Sequence, residues 1–138
     1  MGLFERHSAL LNQAIDALHK RTFFAAYPEH PAPAVYGETA DADGQAAFKA
    51  ALGKKFELLK QADAAAWIGV EESPYTQEPL GITYPAFSID TLINRAQSAY
   101  HVWRKVSVQE RTGILIESLE RVRARFFEIA YATMHTTG

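Results

Sequence analysis

A mainly α-helical fold is predicted for these 138 residues. About four amphipathic helices are expected, with an extended Pro/Gly-rich segment and one or two short strands between the second and the third. Three observations predict it. Apolar residues recur at three-, four- and seven-residue spacings in four stretches. Two of those stretches open on helix-capping signals. All six prolines fall between the stretches, where a helix has to stop.

The first helix is expected over residues 3–24. Phe4, Leu11, Ile15 and Leu18 form its apolar stripe, with Leu3, Leu10 and Ala14 beside them and Arg6, Asp16 and Lys20 off it. Pro28 forbids continuation, and residues 28–38 hold three prolines and a glycine, so an extended connector is expected there. A second helix is expected over residues 45–61 after the turn signal of Asp41, Asp43 and Gly44, with Phe48, Leu52, Phe56 and Leu59 on one face. Gly53 weakens it by roughly 1 kcal/mol relative to Ala, so tertiary support is needed. Residues 67–70 and 80–84 are the candidate strands within an otherwise loop-like stretch.

Ser88 is a good N-cap for the third helix, with Asp90 in its first turn and Phe87 placed to staple onto Leu92. Its buried stripe is expected to be Leu92, Ala96, Ala99 and Trp103, widened by Ile89, Ile93 and Tyr100. The fourth helix, residues 107–137, has the strongest signal. Ser107 and Glu110 match a capping box, and Val108, Leu115, Leu119, Val122, Phe126, Ile129 and Thr133 form the apolar stripe. Ile114, Ile116, Phe127, Tyr131 and Met134 lie outside that stripe, so the helix expects cover on more than one side. With nothing following it, the chain reads as truncated.

Composition narrows the function classes. Hydrophobic residues are 48% and charged residues 22%, as in ordinary globular domains. A net charge of −2 gives no electrostatic case for nucleic acid or an anionic membrane. The absence of cysteine excludes disulfides, zinc–thiolate sites and a cysteine nucleophile from these residues. No window approaches the ~20 apolar residues of a membrane span, and the N-terminus is not a secretory signal. A cytoplasmic location is expected.

No catalytic, cofactor-binding or metal-ligating residue can be assigned. His7, His19, His30, His101 and His135 lack metal-ligand spacing; His7 and His19 on one helix stand roughly 18 Å apart. Glu71 and Glu72 are adjacent in an extended segment and point to opposite faces. The serines show no nucleophile elbow, and the glycines no phosphate-binding loop. Arg121, Arg123 and Arg125 spread around a helix and read as a solvated face.

The ordered set Ala96, Ala99, Trp103, Ser107, Glu110-Arg111, Ile114-Leu115, Glu128-Ile129-Ala130 and Thr137-Gly138 resembles the N-terminal helical segment of the aldehyde dehydrogenase superfamily. Glu78-Pro79-Leu80-Gly81 resembles the short strand and turn before it. Residues 21–29 (RTFFAAYPE) and 67–75 (WIGVEESPY) resemble the phenylacetic acid degradation branch. Residues 78–138 are thus expected to be the helical start of a dehydrogenase-like domain, and residues 1–77 an extension specific to the branch.

The resemblance implies a parent NAD(P)-dependent enzyme of aromatic-acid catabolism, acting on an aldehyde such as a CoA-linked semialdehyde. That chemistry runs through a cysteine thiolate, hydride transfer to the nicotinamide, and hydrolysis promoted by a glutamate. The family positions for these groups lie beyond Gly138, so none is carried onto this chain, and no bound cofactor is expected. Its implied partner is the remainder of the parent dehydrogenase. The alternative is a free-standing helical adaptor that dimerises through the 107–137 helix. A small enzyme using Glu71, Glu72 or a histidine is a weaker third reading.

Overall fold

The computed structural model describes residues 2–28, 30–60 and 62–138. Along them run α1 (Leu3–Lys20), α2 (Pro33–Tyr36), α3 (Ala40–Ala51), β1 (Ala66–Ile68), β2 (Tyr84–Ala86), α4 (Ile89–Trp103), α5 (Val108–Ala124) and α6 (Phe126–Thr137). The class is the mainly helical one predicted, with six helices among the described residues in place of about four. Glu29, the last residue of the 21–29 stretch, and Gln61, the expected end of the second helix, lie outside the described residues. The chain divides into two compact units, residues 1–38 with 104–125, and residues 39–103 with 126–138.

In the first unit α1 packs along α5. α1 stops at Lys20 because Arg21 turns left-handed (φ 54°, ψ 40°) and its N–H reaches the Ala17 and Leu18 carbonyls. The 28–38 connector is not wholly extended. Pro33 occupies the first turn of the four-residue α2, where its missing N–H is not needed, and Gly37 (φ 104°) ends it. The Tyr36 hydroxyl donates to the Pro28 carbonyl at 2.8 Å and ties the connector to itself.

The capping box forms as the sequence requires. The Glu110 N–H donates to Ser107 Oγ at 3.1 Å, and the Ser107 N–H donates to Glu110 Oε2 at 3.2 Å. The face that α5 turns inward is not the predicted one. Val108, Leu115, Leu119 and Val122 are each more than half exposed, whereas Gly113 is buried and Ile116, Glu117 and Glu120 are half-buried. Gly113 decides this, because a Cβ there would sit 2.5 Å from the Phe4 nitrogen and 2.7 Å from the Leu3 carbonyl carbon. Only glycine admits the α1 backbone so closely, so this face is the one α1 can reach.

The expected 107–137 helix is also two helices. α5 ends at Arg125 (φ −118°, ψ 21°), where neither glycine nor proline stands. The break follows the partners: α5 lies on α1 in one unit, and α6 lies on α3 in the other.

In the second unit the α3–α6 contact closes at Gly44, where a Cβ would lie within 2.8 Å of the Glu128 nitrogen. α3 starts five residues earlier than predicted and ends at Ala51, ten residues early. Gly53 (φ 69°) turns the chain after the helix, and Lys55 then bridges to Thr83. Phe56 N–H donates to the Thr83 carbonyl at 2.8 Å, and Thr83 N–H to the Lys54 carbonyl at 3.1 Å. The expected face of Leu52, Phe56 and Leu59 is therefore no helix face. Phe48, Leu80 and Ile82 form the buried cluster, with Phe56, Tyr84 and Tyr131 packed against it. Residues 80–84 thus alternate inward as a strand would, although the named strands are shifted, β1 pairing antiparallel with β2 in the register Trp67 to Pro85.

Ser88 caps α4, its Oγ accepting the Thr91 N–H at 3.2 Å. The predicted stripe of α4 is not buried: Leu92, Ile93, Tyr100 and Trp103 are exposed, and no residue of this helix is buried. No helix of the described residues is long and apolar enough to cross a membrane.

The close crossings generate a prediction against helix propensity. Alanine gains about 1 kcal/mol over glycine in a helix interior, yet a methyl driven into a neighbouring backbone costs about 1–3 kcal/mol. Gly113→Ala and Gly44→Ala are expected to lower the urea midpoint. A raised midpoint would contradict the close approach.

Candidate functional site

Polar chemistry gathers at two histidines, one in each unit. The five histidines are not equivalent: His7 is buried, His135 half-buried, and His19, His30 and His101 exposed. No group of three His, Asp or Glu side chains among the described residues could hold a metal ion.

In the second unit Ser73 retains only 1% of its exposure, and its hydroxyl lies 2.8 Å from His135 Nδ1. Two backbone N–H groups, of Tyr75 at 3.3 Å and Thr76 at 3.4 Å, point at the same oxygen. A hydroxyl has one proton to give, so with its lone pairs facing donors it donates to Nδ1, and the ring proton stands on Nε2. His135 stacks on Phe48 with centroids 4.9 Å apart and meets the Tyr75 edge at 5.6 Å. A serine–histidine pair is the start of a nucleophilic device. Here the serine oxygen is closed to a substrate and organises the turn, so the pair latches residues 71–80 to α6.

In the first unit Glu117 is a hub. Its carboxylate accepts from His7 Nε2 at 2.9 Å, from Arg6 Nη1 at 3.1 Å and from Arg121 Nε at 3.3 Å. The His7 hydrogen bond holds the Glu117 carboxyl below the usual carboxylate range; the two arginines add to this, and partial burial opposes it. One turn on, the Tyr27 hydroxyl donates to Glu120 at 3.2 Å, and burial followed by the Glu120 charge pushes the phenol up.

Glu71 and Glu72 do not form a carboxylate pair. Glu71 Oε2 accepts the N–H of Val70 at 3.1 Å, and Glu72 bridges to Pro79 in the loop. Burial, then the Glu71 charge, raises the Tyr84 phenol. Of the arginine run, Arg121 pairs with Glu117 and Arg123 lies over the Tyr36 ring at 5.8 Å, so these are scaffold contacts.

A groove of about 920 Å³ opens between the N-terminal ends of α1 and α5, lined by Phe4, Glu5, Ser107, Glu110 and Ile114 among others. Two helix N-termini would favour an anion. Glu110 already caps its own helix, and the Glu5 carboxylate lies against Gly2. The groove is therefore acidic, the reverse of a phosphate site. Neither histidine cluster was legible beforehand, since the partners stand 62 and 110 residues apart with no local motif.

Two outcomes follow. Ser73→Ala strands two N–H donors and a ring nitrogen, which is expected to cost about 1–3 kcal/mol in urea unfolding; an unchanged midpoint would remove the latch. For Glu117 the folded carboxyl is the stronger acid, so its stabilisation is present above the unfolded value of about 4 and is lost as pH falls through the lower folded value. The stability gap between wild type and Glu117→Gln is expected to narrow at acid pH, and a gap constant from pH 7 to 3 would refute the hub.

No family model matches the chain, and no curated protein does. A solved chain does match: NAD-dependent aldehyde dehydrogenase from Burkholderia multivorans, with a TM-score of 0.87 and 42% sequence identity. The alignment covers 100% of this chain and 24% of that one, so the chain spans about a quarter of the matched protein's length. The superfamily resemblance read from the sequence thus has a structural counterpart: in fold and in sequence, the chain is similar along its whole length to part of an NAD-dependent aldehyde dehydrogenase.

Proposed function

We propose that residues 1–138 are a helical scaffold segment of an NAD-dependent aldehyde dehydrogenase, contributing packing surface and no catalytic group. The observation that carries this reading is the 42% identity over the entire chain against 24% of the matched enzyme. Residues 78–138 correspond in this reading to the helical start of the dehydrogenase-like domain, and residues 1–77 to an extension preceding it.

The residues present do not fit the cofactor. A dinucleotide needs a glycine-rich turn at a helix N-terminus to receive its pyrophosphate. The groove at the α1 and α5 N-termini instead presents Glu5 and Glu110. A thiolate nucleophile has no candidate among these residues, because none is a cysteine. NAD and the reacting aldehyde belong in this reading to other parts of the enzyme.

The stretches 21–29 and 67–75 support a finer assignment to aromatic-acid catabolism in the cytoplasm. The substrate there would be an aldehyde such as a CoA-linked semialdehyde. A second reading, a self-associating helical adaptor, is favoured by the exposed Val108, Leu115, Leu119 and Val122 of α5. It predicts a defined dimer by light scattering.

The test is a chimera in which residues 1–138 replace the matched quarter of the Burkholderia multivorans enzyme. The chimera is expected to fold and to reduce NAD with an aldehyde, whereas residues 1–138 alone give no binding isotherm with NAD. An inactive chimera beside an active parent enzyme would overturn the scaffold reading, as would micromolar NAD affinity of the 138 residues. Assay of the full-length polypeptide with aromatic-derived and simple aldehydes tests the finer substrate class.

A further inference from the structure

We draw no further inference here: the strongest candidate, the groove between the N-terminal ends of α1 and α5 with Phe4 and Ile114 on its walls and Glu5 and Glu110 beside them, rests on two helix N-termini and two carboxylates, and nothing in the structure shows what covers it.

Discussion

In each unit two helices meet at a glycine that leaves no room for a side chain, and the positions of those two glycines bear on what meets what. Gly113 lets the Leu3–Phe4 backbone of α1 lie where a methyl would otherwise stand on α5, and Gly44 does the same for Glu128 of α6 against α3. Residues one turn away on the same face are then carried into contact, since i and i+4 share a face. Four residues after Gly113 comes Glu117, which meets Arg6 and His7. Four after Gly44 comes Phe48, which stacks on His135, and three before it comes Asp41, which accepts the Tyr131 hydroxyl at 3.1 Å. The ionic hub and the aromatic stack are consequences of where the backbones can touch.

Hydrophobicity did not choose the inward face of α5. Burying Leu119 or Val122 fully would be worth about 1.5–3 kcal/mol each, but either face of an isolated helix pair leaves something outside. With α1 at Gly113, a carboxylate hub takes the inner position and the leucines face water. The buried hydrophobic residues of the described chain are Ala17, Phe48, Leu80 and Ile82. That is a small core for a sequence that is 48% hydrophobic, and part of the remainder forms stripes on α4 and α5.

Local signals in the sequence were reliable where they act through the backbone of their own segment. The Ser107–Glu110 box and the Ser88 cap need only residues three apart, and both form as read. The prolines kept out of the long helices for the same local reason, although Pro33 opened a short one. Signals that depend on a distant partner failed. Periodicity placed stripes on α4 and α5 but could not say whether a partner was present to cover them, and over residues 52–59 it marked a helix face where the chain turns away. Arg125 carries no breaker residue, and the division there is imposed by α1 and α3, which lie more than 70 residues away along the chain. The superfamily likeness survived these errors because it rests on residue order, which does not depend on which face turns inward.

The allocation of polar and apolar groups bears on function more than the missing cysteine does. A catalytic cleft keeps convergent polar groups accessible and incompletely satisfied, walled by apolar side chains. Here the relation is reversed. Ser73 Oγ is engaged by His135 and two N–H groups, Glu117 by three donors, and Glu110 by its own helix cap. No buried side-chain nitrogen or oxygen among the described residues lacks a partner. What remains available on the surface is ordered apolar area. Side chains so disposed hold each unit together from within, so the polar groups of these residues act first on the fold.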